Sequence, residues 1–496
     1  MGVVIKQSFW GTVVAYMGVV VGYFNTLYLR AEYFTLEQIG LFTLITANAM
    51  MISPISSFGA GSTYVKFFPS FAEDKKHRLF TFLFLVSLLG NLIILGLGFL
   101  LQDTIAARYV ENTPTYIDYL FVTGIVIFSN SMFDLFFNYS RTILKVVFPS
   151  FLRDVYLRLA SLLLVLGYSL DWWTFDWAVI GLGVVYFLSF VFLFLNLIFV
   201  HGFRFDFRID IISSAWKINL LKFGSYSMLL AGSFAVINNI SYEQITVALG
   251  SKMNGIFTTC FFIGVVVEMP KRNMAKIMMP IISKASTAKD YKTIGGIYKR
   301  GSITMSVIGV LLAIGIVTNL NDLFDFIPKG KDFETGFWVV IFVCLAKVAL
   351  MVSSFAGEII NYSVKYQFNL YFQLLSALVL IGLNYLLIPI IGINGAGLSY
   401  MVAIFFHIVL KGIFVHRQYG FLPFDRSHFA LLIISLIVFF IAYLLPLNFH
   451  PILNIALRGV LTTILYILLV YRFKISPDIN SLIRSTFARL SKNSFK

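Results

Sequence analysis

Fourteen apolar runs follow one another along this chain, each close to the ~20 residues an α-helix needs to cross a bilayer. They fall at about 7–29, 39–66, 79–101, 115–140, 150–170, 177–200, 223–249, 254–280, 301–320, 335–357, 368–390, 394–415, 427–446 and 452–472. Inside hydrocarbon every backbone N–H and C=O must be paired within the segment, so runs of this length fold as helices. Only 12% of the 496 residues are charged, about half the share of a soluble chain, while 59% are hydrophobic. The expected fold class is an all-α polytopic membrane protein with fourteen transmembrane helices. The second and eighth runs are the longest; they contain Pro54 and Pro270, where kinks are expected.

Several function classes are excluded at once. The only cysteines, Cys260 and Cys344, lie inside apolar runs and form neither a disulfide framework nor a zinc site. There is no Walker A sequence, which excludes ATP hydrolysis by the P-loop route. The net charge of +15 sits in short loops between spans, which is membrane topology and not nucleic-acid binding. With Lys6 as its only early base, the first run reads as an uncleaved span and not a signal peptide.

Charge also sets an orientation. With both termini in the cytoplasm, 30 of the 38 Lys and Arg face that side. Five face outward (Arg30, Arg108, Lys252, Lys329 and Lys331), and three lie within spans (Arg158, Lys347 and Arg458). Such a bias follows the positive-inside rule. The stretch 208–222, between the sixth and seventh spans, reads as a short cytoplasmic interfacial helix.

The chain repeats itself at an offset of 214–215 residues. Asn25 and Tyr28 meet Asn239 and Tyr242, Gly40 and Phe42 meet Gly255 and Phe257, and Gly181 and Tyr186 meet Gly395 and Tyr400. Six spans are therefore duplicated in one orientation, a parallel pseudo-twofold repeat. The expected organisation is an N-terminal lobe at 1–200, a linker helix at 201–222, a C-terminal lobe at 223–418, and two additional helices with a basic tail at 419–496. Two such lobes can enclose a cavity and alternate its access.

Asn384–Tyr400, NYLLIPIIGINGAGLSY, resembles a signature of the Wzx-type polysaccharide flippase branch of the multidrug/oligosaccharidyl-lipid/polysaccharide exporter superfamily. Gly59–Pro69 and Met278–Ser283 resemble the ends of that family's second and eighth helices. The resemblance implies a flippase moving undecaprenyl-pyrophosphate-linked oligosaccharide across the bacterial inner membrane for surface polysaccharide such as O-antigen. No covalent chemistry, catalytic residue, metal or cofactor is then expected. Coupling would be to Na+, H+ or the membrane potential. Expected partners are the lipid-linked oligosaccharide, membrane lipids and a polysaccharide polymerase, with no nucleic acid. Many family members carry an Asp-Arg pair late in helix seven; Glu243-Gln244 here keeps the acid and loses the base. A cation-coupled multidrug exporter of the same fold and a membrane enzyme acting on the same lipid are the alternatives.

A phosphate headgroup crossing ~30 Å of hydrocarbon needs a cationic path. The candidates are Lys347, Arg272, Lys276, Lys66 and Arg158. Asp134, Glu243 and Glu268 are candidate charge partners or coupling groups, and Asn25 and Asn239 candidate sugar contacts. Glu268, Arg272 and Lys276 are spaced i, i+4, i+8 and share one helix face. They open a run of eight bases from Lys271 to Arg300. The positive-inside rule alone would also produce such a run, so both readings stand. Lys347 sits mid-span, where neither surface is within easy reach. Its repeat counterpart is Phe133, next to Asp134, and its candidate partners are Glu268 and Glu243. Asp134 and Arg158 lie at equal depth in the fourth and fifth spans, which allows a direct ion pair, either purely structural or presenting the arginine to phosphate. Asn25 and Asn239 can equally be interhelical hydrogen-bonding groups.

Overall fold

The structure is a computed structural model and describes residues 17–18, 20–208 and 214–484, without the Lys276 side chain. It contains helices and no strand among the described residues. The long helices are α1 (Leu36–Ser56), α2 (Ala60–Phe67), α3 (Lys76–Leu100), α4 (Gln102–Tyr109), α5 (Leu120–Thr142), α6 (Leu157–Ser169), α7 (Phe175–Phe199) and α8 (Ser214–Val265). They continue with α9 (Met269–Thr287), α10 (Tyr291–Val317), α11 (Leu320–Phe326), α12 (Phe337–Val352), α13 (Ala356–Asn361), α14 (Gln367–Ile391), α15 (Ile393–Tyr419), α16 (Arg426–Leu444) and α17 (Pro451–Arg472).

Eleven helices among the described residues are long and apolar enough to cross a membrane. The difference from the fourteen expected has three sources. About half of the first run lies outside the described residues. The fifth is broken by a wider, π-type turn at Leu152–Tyr156. The seventh and eighth follow without a loop within Ser214–Ala275, divided only at Gly250, whose φ of 87° and ψ of 169° are not helical. Part of the interfacial helix expected over 208–222 is described. Residues 209–213 lie outside the described residues, and from Ser214 onward the segment forms the first turns of α8.

The chain divides into two compact units, Met1–Thr258 and Thr259–Lys496. In the first, one aromatic and aliphatic core gathers Phe34, Phe42, Tyr109, Tyr116 and Val122, and another Tyr64, Phe80, Phe136, Tyr139 and Phe203. The expected Pro54 kink is a full break. Phe58 and Gly59 both take positive φ (51° and 62°), and α2 starts anew at Ala60. Only glycine suits Gly59, because a Cβ there would lie 2.6 Å from the Gly224 carbonyl oxygen. The tightest crossing is between α1 and the part of α8 beyond Gly250. A Cβ on Gly40 would lie 1.8 Å from Ser251 O, and one on Gly255 would lie 2.0 Å from Leu36 O. Asn254 Nδ2 donates to Gly40 O at 3.0 Å, holding the two backbones together.

Ahead of α8 the chain is extended and pinned to α3. Phe203 packs edge-on to Phe80 and Tyr139 at 5.0 Å, and Phe205 lies 4.9 Å from Phe84. Asp206 accepts from Arg78 Nε at 2.9 Å and Arg208 Nη2 at 2.7 Å. Those guanidinium bonds, Arg208's first, hold the Asp206 carboxyl well below the usual carboxylate range.

In the second unit the expected Pro270 kink is again a break. A tight turn at Val266–Glu268 precedes α9, and Pro270 lies in its first turn, where a missing N–H costs nothing. Helix α12 ends at Val352 because Ser354 takes a positive φ of 46°. Gly392, at φ 62°, turns α14 into α15, and Gly395 lies too close to Leu387 O for a Cβ (2.4 Å). Helix α17 is fixed to α11 through Arg458 Nη1, which donates to Asp322 Oδ2 at 2.5 Å and Asn319 Oδ1 at 3.0 Å.

Candidate functional site

Lys347 lies about ten residues, or ~15 Å, into α12. It is 1% exposed. An ammonium cannot stay there unpaired, and Nζ donates to Glu268 Oε2 at 2.7 Å and to the Tyr400 hydroxyl at 2.8 Å. Of the two candidate acids the partner is therefore Glu268. Its position in the break before α9 aims the carboxylate at α12. Phe261 packs edge-on to Tyr400 at 5.0 Å and backs the hydroxyl. Glu268 also accepts from Arg272 Nη2 at 3.4 Å, so the expected i, i+4 step is present. The Lys276 side chain lies outside the described residues.

Three further ionisable groups join this centre, and sequence reasoning did not single them out. Lys271 Nζ donates to Leu350 O at 2.8 Å, one of the carbonyls left open where α12 ends. It interacts electrostatically with Glu358 on α13 as well as with Glu268, Lys347 and Arg272. Lys411 on α15 interacts with Glu358 and Lys271. Its Nζ lies 3.0 Å from where a Cβ on Gly357 would be. Four bases against two acids leave an excess of two positive charges. In low dielectric that excess attracts anions far more strongly than the same charges would in water. His407 is buried with Nδ1 3.0 Å from Ser376 Oγ.

The first unit treats its charges differently. Asp134 and Arg158 do not pair, which corrects the expected hairpin bridge. Asp134 is exposed on α5, accepts from Asn138 Nδ2 at 3.4 Å, and is attracted to Arg153 and Arg141. Arg158 packs against Gly22, where a Cβ would be 3.0 Å from its Cδ, and interacts with Asp154. Equal depth does not ensure a meeting. The five residues from Arg153 to Arg158 span about 1.4 helical turns, so the two arginines point to different sides.

Glu243 recovers the base that position 244 lacks, from elsewhere in the chain. Arg108 Nε on α4 pairs with its Oε1 at 3.0 Å. Lys66 is exposed at the end of α2, with Nζ 3.7 Å above the Phe223 ring. Asn25 is buried and donates to Ser161 Oγ at 3.4 Å, while Asn239 donates to Ala235 O at 2.8 Å in its own helix. The candidates thus separate. Lys347, Arg272 and Glu268 converge, whereas Lys66, Arg158, Asp134, Glu243, Asn25 and Asn239 are placed elsewhere. One signal for Tyr400 was available in the sequence, its repeat match with Tyr186.

No protein-family model matches the chain, and no curated protein matches it in sequence. Solved structures do. The lipid II flippase MurJ in an inward closed conformation is 14% identical with a TM-score of 0.78, covering 94% of this chain and 99% of that one. An inward-facing multidrug resistance MATE family transporter of the MOP superfamily is 12% identical (TM-score 0.63; 83% and 94% covered). A MOP superfamily transporter from Pyrococcus furiosus, described as having a binding pocket of reverse polarity, is also 12% identical (TM-score 0.59; 84% and 95%). The fold is shared with all three. The chain is a multi-pass membrane protein with the polytopic helical fold of MurJ and the MATE transporters.

Proposed function

We propose that this protein is a flippase for undecaprenyl-pyrophosphate-linked oligosaccharide, of the Wzx-type branch. It moves repeat units from the cytoplasmic to the periplasmic leaflet of the bacterial inner membrane. The observation that carries this reading is the buried Lys347–Glu268 pair inside a cluster with more bases than acids. A charged group ~15 Å along a membrane helix is costly even when paired and by default marks a functional site, and an anionic headgroup is the substrate class a cluster with excess bases suits. Fold likeness to a lipid II flippase over 94% of the chain supports a lipid-linked cargo. In this reading Lys347 and Arg272 receive the phosphate as Glu268 releases them, the sugar follows through the hydrated interior, and the isoprenoid remains in lipid. Both termini are cytoplasmic, and two six-helix repeats alternate access.

The second reading, a cation-coupled multidrug exporter, is favoured by the MATE likeness alone. A cluster with excess positive charge disfavours the cationic compounds such a site would hold. Proteoliposomes containing a fluorescent undecaprenyl-diphosphate oligosaccharide distinguish the two. The flippase makes inner-leaflet probe accessible to an impermeant reagent, and Lys347→Ala abolishes this while Lys347→Arg retains part. Transport of a cationic dye with no movement of the lipid probe would overturn the proposal.

A further inference from the structure

A cavity of about 380 Å³ in the second unit shares no residue with the Lys347 centre. That is within the size of small-molecule sites, roughly 300–1,000 Å³. Its apolar lining is Met274 and Met278 of α9, Met305 of α10, and Phe355, the residue before α13. Methionine is unbranched and adapts its shape to a flexible chain. Gly296 of α10 also lines the cavity, and a Cβ there would meet no atom within 4 Å.

Two charged side chains of opposite sign share this lining, Arg300 of α10 and Asp478 after α17. Neither forms an ion pair, with the other or with any further group, among the described residues. Asp478 is instead fixed to α10, where its Oδ2 accepts from Thr304 Oγ1 at 3.2 Å and Ser476 Oγ lies 3.0 Å from that hydroxyl. Opposite charges that line one apolar cavity without meeting are complementary to a zwitterion. The sequence also places them at headgroup level. Helix α10 carries Lys292, Lys299 and Arg300 and no charge beyond them, and α17 ends at Arg472 with Lys474 and Asp478 following. Bases at the end of an apolar run mark the boundary of lipid and water.

We propose that this cavity binds a phosphatidylethanolamine from the surrounding leaflet. Arg300 donates to the phosphodiester, Asp478 accepts from the ammonium, and an acyl chain packs against the methionines and Phe355. A primary ammonium has three donors for the carboxylate, and a trimethylammonium has none. A phosphatidylglycerol leaves Asp478 beside the phosphate with no cation between them. The bound lipid joins α10 to the segment after α17. The site does not depend on which cargo the protein moves.

The test measures binding of dioleoyl-phosphatidylethanolamine, -phosphatidylcholine and -phosphatidylglycerol to the purified full chain in detergent, by native mass spectrometry. The parent should prefer the ethanolamine lipid by roughly tenfold, the effect of one charge-assisted contact. Asp478→Asn should remove that preference. Arg300→Gln should weaken all three lipids alike and keep their order, because the phosphodiester is common to them. Gly296→Leu should abolish the preferred binding by filling the cavity, with an unfolding midpoint no lower than the parent's, since glycine inside a helix is itself unfavourable. Soluble glycerophosphoethanolamine should compete roughly a hundredfold more weakly, because it has no chain to bury. Equal binding of the three lipids by the parent, or parent-like binding by Gly296→Leu, would overturn the site. Competition by the soluble headgroup at the lipid's own concentration would overturn the lipid as its occupant. None of these results bears on the flippase reading.

Discussion

Helices α5 and α12, which the expected sequence offset pairs, carry charges at adjacent aligned positions, and the two are handled in opposite ways. On α5 the charge is Asp134, beside Phe133, and it is satisfied locally. Asn138 is one turn along the same helix, and the nearby arginines are exposed. On α12 the matching position is Lys347, satisfied by Glu268 and Tyr400, which are 79 and 53 residues away in sequence. A local arrangement tolerates the loss of a member, because a neighbour on the same helix replaces it. A buried pair joined across segments does not, because removing one partner leaves the other charged in low dielectric. On the proposed reading, the group that receives the anion therefore belongs to the second unit.

The largest effect is expected at the buried pair. Lys347→Ala leaves Glu268 with Arg272 alone and should destabilise the protein by about 3–5 kcal/mol, lowering the thermal unfolding midpoint in detergent. Adding Glu268→Gln should recover most of that loss. An additive double variant would mean the two side chains are not coupled as their distance indicates. Next comes the glycine crossing. Gly40→Ala and Gly255→Ala each place a methyl group about 2 Å from a carbonyl oxygen. Each should cost roughly 1–3 kcal/mol as overpacking, and the pair should cost less than the sum because both open one crossing. A parent-like midpoint for either variant would contradict the packing.

A smaller effect is expected at Asp206, whose carboxyl is held below its ordinary range by Arg208 and Arg78. A lowered folded-state pKa adds stability that is present above the unfolded value, near 3.9, and lost as the pH falls through the folded value. Asp206→Asn should therefore lower the midpoint at pH 7, and the gap should begin to close below about pH 4. A gap that does not change with pH would mean shape, not charge, holds the linker. The smallest effect is expected for Asp134→Asn, with lipid translocation within about twofold of the parent, because the Asn138 amide one turn along can bond the new side chain as it does the carboxylate. A collapse of translocation in this variant would break the comparison between the two helices.

Much of the fold was legible because it is written in run length and repetition. The spans α3, α10 and α14–α17 are long, apolar and bounded by polar turns, and the 215-residue offset paired Gly40 with Gly255 before their contact was known. Breaks were harder to see. Pro54 and Pro270 announce a disturbance, but the positive φ at Phe58 and Ser354 belongs to residues with no special preference for it. At the site, Lys347 stood out because a base inside an apolar run is costly wherever it points. Lys411 and Glu358 did not, because near span ends such residues usually serve topology. The Asp134–Arg158 bridge failed for a different reason. Depth along a helix is readable from residue number, whereas direction around it is not, least of all across the π-type turn at Leu152–Tyr156.

The most direct test of the account separates the charge of Lys347 from its structural cost. In Lys347→Met combined with Glu268→Gln the pair is removed whole, so neither member is left charged without the other, and methionine approximates the length of the lysine chain. This variant should unfold at nearly the parent's temperature yet fail to translocate an undecaprenyl-diphosphate oligosaccharide in proteoliposomes, because the cation that receives the phosphate is gone. Translocation at the parent's rate by this variant, at equal reconstitution, would show that the pair only holds α12 to the segment before α9, and would contradict the account.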